Sequence, residues 1–431
     1  MRKCLGVAVT ALAGLLAAAA LATPKGRSPV APTAPTAGNI NDEQPVSKLV
    51  VHEWGTFTNF SGSDGVQLDF RPLADVELPA FVYDRPMQGT FWLGKGRRTR
   101  QRMETPVIYF YTDRPREVSV KVEFPRGLLT EFYPPPQTVL PAYEYGVTPP
   151  LADSSLDWGA IRIVPEAMTD QLQEDVEGLI DPPEVEGDNH YAYARETDSA
   201  IVETSDNLGS KYHEKFLFYR GIGNFSLPLR LEAHGRGRFT VTNDGAVAVH
   251  SQFLVEVTAG EIRFTQSPLV EAHASVSIER AGSASTIGEL NARLVENLVS
   301  AGLYAKEARA MVKTWQSSWF GEPGTRLLYL VPERLTAELL PLHINPQPDE
   351  LVRVLVGRMD VMTPERTDEL ASLFRDMGTC VSSSSEPLRS ELAGLGRFAE
   401  PALTHVAGTR LTPFQRGQVE TLIVQMRNDA R

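Results

Sequence analysis

Through most of the chain, apolar residues either alternate with polar ones or run together in short blocks, the pattern that strands leave. The clearest alternation is Arg116–Phe124, with Val118, Val120, Val122 and Phe124 on one side and Ser119, Lys121 and Glu123 on the other. It predicts a strand with one buried face. Thr105–Thr112 is almost continuously apolar, as expected of a strand covered on both faces. In Leu49–Phe60 a period of two places His52, Trp54, Thr56 and Thr58 on one face, with Val51, Glu53 and Phe57 on the other. Gly127–Tyr133 is a further strand, ended by Pro134, Pro135 and Pro136, which cannot donate to a ladder. Between 211 and 280 short strands are predicted at Lys215–Arg220, Phe225–Ala233, Gly237–Thr242, Val247–Val257, Glu261–Thr265 and Ser275–Glu279. Asn243-Asp244-Gly245 reads as a hairpin turn between two of them, because this pair accepts positive φ. Strands this short and evenly spaced predict a sandwich.

After residue 285 the period changes. Thr286 and Glu289 fit a capping box, with Ile287, Leu290, Leu294 and Leu298 following at helical spacing and Gly302 as the stop. Ala305, Ala308, Val312, Trp315 and Trp319 form a second helical stripe. Arg326–Val331 and Leu351–Val356 read as two more strands, returning to the sheet. Thr363-Pro364 starts a helix that buries Leu370, Leu373, Phe374 and Met377. The expected fold class is α+β: a predominantly antiparallel β-sandwich core followed by a helical C-terminal part.

Domain organisation follows from the same pattern. Arg2 and Lys3 precede an apolar run from Leu5 to Leu21, and Ala20-Leu21-Ala22 supplies small residues for cleavage before Thr23. Residues 1–22 therefore read as a signal peptide, which leaves no permanent membrane span and sends the protein to the periplasm or outside the cell. Residues 23–48 hold five prolines and few large apolar side chains, a flexible linker. The β-sandwich is expected over 49–285, with an acidic loop insertion at 166–198, a mixed helix and strand extension packed on the β core at 286–380, and a helical hairpin at 387–431.

Charge and cysteine usage narrow the partners. The formal charge is −12, and the only basic run is Lys95–Arg102, so no nucleic-acid partner is expected. Of two cysteines, Cys4 leaves with the signal, and Cys380 then has no partner within the chain. Neither a disulfide nor a cysteine metal site is available to hold the fold.

The eight histidines show none of the zinc spacings, and no nucleophile elbow, Walker loop or dinucleotide fingerprint occurs. No cofactor and no metal is expected. Three segments nevertheless carry more polar and aromatic groups than strands require. His52, Glu53 and Trp54 lie in the first strand; Asn189–Asp198 includes Tyr193, Arg195 and Asp198; His213–Arg220 includes Glu214 and Arg220, which alternation places with Phe216 and Phe218. Glu104 and Arg126 are expected at strand ends. Together these are the candidate ligand-binding residues, and the ligand expected is a small molecule, a glycan or an envelope component. The alternative is a hydrolase or metal-dependent enzyme whose site draws His52, Glu53, Glu104, His213 and Glu214 together from separate strands.

Val51–Thr58, Glu104–Tyr111, Glu214–Gly221 and Trp315–Phe320 resemble segments of a group of uncharacterised exported bacterial proteins, a likeness spanning roughly residues 49–365. The resemblance implies bacterial export and carries over no catalytic residue.

Overall fold

The computed structural model describes residues 48–71, 78–84, 97–142, 144, 147–168, 181–187, 189–258, 260–376 and 386–429. The expected signal peptide, the linker up to residue 47, Met377 and Cys380 lie outside the described residues. The first strands are β1 (Val50–Ser61), β2 (Tyr83–Asp84), β3 (Gln101–Tyr111), β4 (Arg116–Phe124), β5 (Gly127–Tyr133), β6 (Thr138–Leu140) and β7 (Ser154–Val164). Next come β8 (Ile201–Ser205), β9 (Lys211–Glu214), β10 (Leu217–Gly223), β11 (Leu229–Gly235), β12 (Arg238–Asn243), β13 (Gln252–Thr258), β14 (Glu261–Ser267) and β15 (Ser275–Glu279). The last are β16 (Gly324–Leu330), β17 (Leu342–Asn345) and β18 (Glu350–Val361). A short helix α1 (His190–Tyr193) precedes α2 (Ile287–Ser300), α3 (Ala305–Gln316) and α4 (Glu333–Leu339). The chain closes with α5 (Pro364–Asp376), α6 (Glu386–Leu395), α7 (Ala399–Arg410) and α8 (Pro413–Asp429).

A nine-stranded sheet in the order β14-β13-β16-β18-β1-β3-β10-β5-β2 forms the middle of the molecule. It is antiparallel except where β18 runs parallel to β1, Val50 opposite Glu350 through Ser61 opposite Val361. One face carries Val51, Phe57, Ile108, Phe110 and Leu355 against Val118, Val120, Val122 and Phe124 of β4 and Leu156 and Trp158 of β7. Here the alternation of 116–124 does what it predicts: a second sheet, β17-β4-β7-β8-β9, lies over the first. A three-stranded sheet, β11-β12-β15, adds Leu231, Phe239 and Val241 to the same core. The fold is α+β with a β-rich, largely antiparallel core.

The other face of the large sheet is covered too. Trp54, Val107, Tyr109, Val255 and Val354 pack against Leu290, Leu294 and Leu298 of α2 and Met311, Val312 and Trp315 of α3. Thr286 caps α2 through the expected box with Glu289, and Gly302 ends it at φ 111°. All twelve residues of β1 are buried, because sheet and helices close over both sides of it. Burying one such valine or phenylalanine contributes about 1.5–3 kcal/mol. Within the segment 286–380, the strands expected at 326–331 and 351–356 do return to the sheet, as β16 and β18 in the interior of the nine-stranded sheet. Past the end of β1, helices α5 to α8 gather a third core in which Phe60 stacks on Phe398 at 4.6 Å.

Two local expectations are corrected. Asn243-Asp244-Gly245 is no hairpin, because β12 pairs with β11 and β15 whereas β13 belongs to the large sheet. The Asn243 side chain is a buried clamp, donating to the carbonyls of Val247, Val270 and Glu271 and accepting from Gly245 N. The true hairpin turn is Gly235-Arg236-Gly237, all at positive φ. The predicted strand Lys215–Arg220 is broken at 215–216, where the chain passes from β9 to β10. This crossing sends Glu214 and Arg220 into different sheets.

Candidate functional site

Three adjacent strand pairings lose register at one level of the large sheet. The β1–β3 pairing shifts between Trp54 and Thr56, β10–β3 between Phe218 and Gly221, and β10–β5 between Tyr219 and Gly221. Two glycines permit the close approach: a Cβ on Gly55 would meet Pro106 Cα at 2.9 Å, and one on Gly221 would meet Leu128 O at 2.7 Å. Thr105 sits at φ 46°, a left-handed conformation that a β-branched residue adopts at a cost of about 1–3 kcal/mol. Bulges re-aim side chains. Here Arg102 and Glu104 of β3 and Arg220 of β10 all line one cavity of ≈ 480 Å³.

The rest of the wall is helical. His190 comes from α1, Trp315 from the end of α3, and Ser317 and Ser318 from a π-helical turn, Ser317–Gly321, that continues α3. Arg326, buried in β16, holds that turn by donating to Ser318 O at 2.8 Å and Glu322 O at 2.6 Å. Single π turns of this kind recur at functional sites. Gly394, Gly396 and Arg397, at the junction of α6 and α7, close the cavity from the C-terminal side.

Glu104 is the hub. It accepts from Thr58 Oγ1 at 2.7 Å and Arg397 Nη1 at 2.7 Å, with Arg102 Nε at 3.2 Å. Burial pulls its carboxyl upward, but the charges of Arg397, Arg102 and Arg220 and the Thr58 bond outweigh this and hold it well below the carboxylate range. Burial, then the like charge of Arg102, brings Arg220 down to about 10, so it stays charged at neutral pH. Arg220 Nη2 lies 3.1 Å from His190 Nε2 and donates to it. Burial first and Arg220 second lower His190 to about 4, which leaves a neutral imidazole as the acceptor.

Of the residues expected from the sequence, the structure brings Glu104 and Arg220 into this cavity, and His190 of the 189–198 segment joins them. Arg102 belonged to the basic run 95–102. Among the described residues of that run Arg97 donates to Pro149 O at 2.5 Å, Arg98 lies 4.0 Å from Glu400, Arg100 pairs with Asp69 at 3.3 Å, and Arg102 turns inward. Arg397 and Gly394 carried no signal of their own, and Trp315 read only as part of a core stripe.

The remaining candidates lie elsewhere. His52 Nδ1 is 2.7 Å from Glu307 Oε2, and Tyr111 donates to Glu307 Oε1 at 2.7 Å, a buried cluster between β1, β3 and α3. Glu53 faces the sandwich core, accepting from Arg353 Nε at 2.6 Å and from the Tyr219 hydroxyl. Trp54 is a core residue under α2 and α3. Arg126 is exposed in the turn between β4 and β5. Tyr193 carries Lys313 Nζ at 4.2 Å over its ring, and Asp198 pairs with Lys306 on the surface. Arg195 and Glu214 form their own buried pair. His213 pairs with Glu203 at 3.0 Å. The composite of His52, Glu53, Glu104, His213 and Glu214 is therefore not assembled, and no group of three metal-ligating side chains occurs among the described residues. Each of these carboxylates and imidazoles has found a separate partner.

Among the described residues no helix is long and apolar enough to cross a membrane. No protein-family model and no curated protein matches the chain. Among solved structures, the Fcho1 Mu homology domain from Danio rerio with bound Eps15 peptide is similar at a TM-score of 0.28 and 7% identity, over 73% of this chain and 97% of that one. A likeness this low assigns neither fold family nor activity.

Proposed function

We propose that the chain is an exported ligand-binding protein of the bacterial cell envelope, with the cavity at the broken register of the large sheet as its binding site. The observation that supports this reading is the coincidence of irregular backbone with the cavity. Three register shifts, Thr105 at positive φ and a π-helical turn all border the same ≈ 480 Å³. Strained backbone persists where the surrounding structure holds it, and it concentrates at ligand clamps. The volume falls within the roughly 300–1,000 Å³ of small-molecule sites. A saccharide is the first class to try, since the lining mixes an indole with hydroxyl and guanidinium donors.

A thermal-shift screen of saccharides, amino acids and peptidoglycan fragments tests this reading against wild type and Gly394→Trp. A Cβ on Gly394 meets nothing within 4 Å, so the added indole enters the cavity without straining α6. A ligand at about one hundred times its Kd stabilises wild type by about 2.7 kcal/mol and leaves the plugged variant unmoved. Equal shifts in both proteins, or no shift in wild type from any compound, end the reading. Mass spectrometry of the protein isolated from whole cells checks the export half, with a mature N-terminus at Thr23 expected.

A further inference from the structure

We infer that the ligand taken by this cavity is an acid, a small organic molecule whose carboxylate, phosphate or sulfate group sits among Arg102, Arg220 and Arg397. The inference rests on the cavity being a binding site and names what it binds. It comes from an excess of donors over acceptors in the wall. Arg220 is 3% exposed, and its Nε is buried without a hydrogen-bond partner. Arg397 Nε and the indole N–H of Trp315 are buried in the same state. A buried donor without an acceptor is costly, more so when it is charged.

The acceptors of the wall are already committed. Glu104 serves Thr58, Arg397 and Arg102, and His190 Nε2 serves Arg220. Glu322 turns to Arg358 at 2.5 Å, inside a balanced set in which Arg326 and Arg358 face Glu322 and Asp360. Three guanidiniums thus meet one carboxylate at the cavity. Glu131 of β5, outside the lining, also acts on Arg220, yet Arg220 Nε stays without an acceptor. An oxyanion brings negative charge and several lone pairs to one point, which is what guanidinium forks match. A neutral ligand brings fewer lone pairs, and no charge, to the buried donors of Arg220 and Arg397.

Titration calorimetry of the full chain at low salt tests this with glucuronate, glucose 6-phosphate and inorganic sulfate, and with glucose as the neutral control. At least one acidic probe is expected to bind tenfold or more tightly than glucose, to weaken as salt is added, and to lose at least tenfold in Arg220→Gln. Whichever acidic probe wins identifies the oxyanion. Should Arg220→Gln fail to fold, Arg397→Gln carries the same test, its side chain being 12% exposed at the cavity rim. Glu104→Gln removes the competing carboxylate and is expected to tighten the acidic probe about tenfold, a gain that misfolding cannot mimic. If glucose binds as well as the acids, the acid inference fails while the binding-site reading survives. Acidic probes that bind wild type and both arginine variants alike sit elsewhere and overturn it. Binding of none of the four overturns the inference, and the saccharide screen then decides separately whether the cavity binds anything.

Discussion

Glu214 and Glu104 begin from the same ingredients, a buried strand glutamate with arginine beside it, and reach opposite states. Glu104, expected at a strand end, lies within β3, while Glu214 does end β9. At Glu214 the balance is one to one. Arg195 donates twice, at 2.9 and 2.6 Å, while Tyr191 OH at 3.0 Å and Lys215 N at 2.7 Å fill the remaining lone pairs. Every strong group there has its partner, and Arg195 lies within 6 Å of both the Tyr191 and Phe81 rings. At Glu104 three guanidiniums share one carboxylate, with donors left over in the cavity wall. The closed pair ties the α1 region to β9, whereas the open cluster leaves donors without acceptors. Stoichiometry of donors and acceptors, more than the presence of charge, separates the two roles.

The comparison breaks most sharply if Arg195→Ala is mild. Removing one partner of a buried pair leaves the other charge stranded, which costs about 3–5 kcal/mol. Urea unfolding of Arg195→Ala should show a loss of that size, and the cavity's ligand affinity should be unchanged in the folded fraction. A loss below about 1 kcal/mol would place the Arg195–Glu214 pair with exposed ion pairs and remove its role as a tie between the α1 region and β9.

Acid should divide the two regions by sign. His190 titrates near 4 in the fold against an ordinary value of 6.5, so the folded state binds fewer protons in between. Its contribution to stability is complete above the unfolded value and is lost as pH falls from about 6.5 to about 4, at about 1.4 kcal/mol per unit. Glu104, also depressed, adds a loss on the acid side below the ordinary carboxylate value. Glu214 runs the other way: burial raises its folded value despite Arg195, so it favours the fold at low pH and loses that contribution as pH rises through the raised value. Urea unfolding at about pH 7 and about pH 5 should show wild type losing about 2 kcal/mol more than His190→Gln. An equal loss in both proteins would mean that His190 is not held neutral by its cavity.

What the amino-acid pattern reveals follows from how local each device is. The strand at 116–124, the cap at Thr286 and the stop at Gly302 are written in residues a few positions apart, and they are legible. The pairing of β1 with β18 joins residues 300 positions apart, and no periodicity encodes which strands become neighbours. Glu104 and Arg220 are visible as charges in apolar strands, yet alternation alone groups Arg220 with Glu214, because it cannot see the chain change sheets at 215–216. Arg397, 293 positions from the carboxylate it serves, follows a glycine in a helix junction and looks like any surface arginine. The bulges that aim the cluster leave no composition signal beyond Gly55 and Gly221, and glycines in strands have several uses.

The smallest effect belongs to a residue that composition favoured and geometry does not. Asp198 lies in the same polar segment as His190 and Arg195, but its side chain is 68% exposed and meets Lys306, itself 54% exposed. Solvent screens such a pair, and two long side chains lose freedom to hold it, so it contributes about 0.2–1 kcal/mol. Asp198→Ala should shift the urea midpoint by no more than that and leave binding of the acidic probe within twofold. Salt separates the regions once more: about 0.5 M sodium chloride should erase the small difference between wild type and Asp198→Ala, since exposed charges are screened within a few ångströms. The loss in Arg195→Ala should persist under the same salt, because the stranded Glu214 carboxylate lies out of reach of solvent ions. A change in ligand binding in Asp198→Ala would extend the site along α1 and onto the surface, and the boundary between the open cluster and its surroundings would have to be redrawn there.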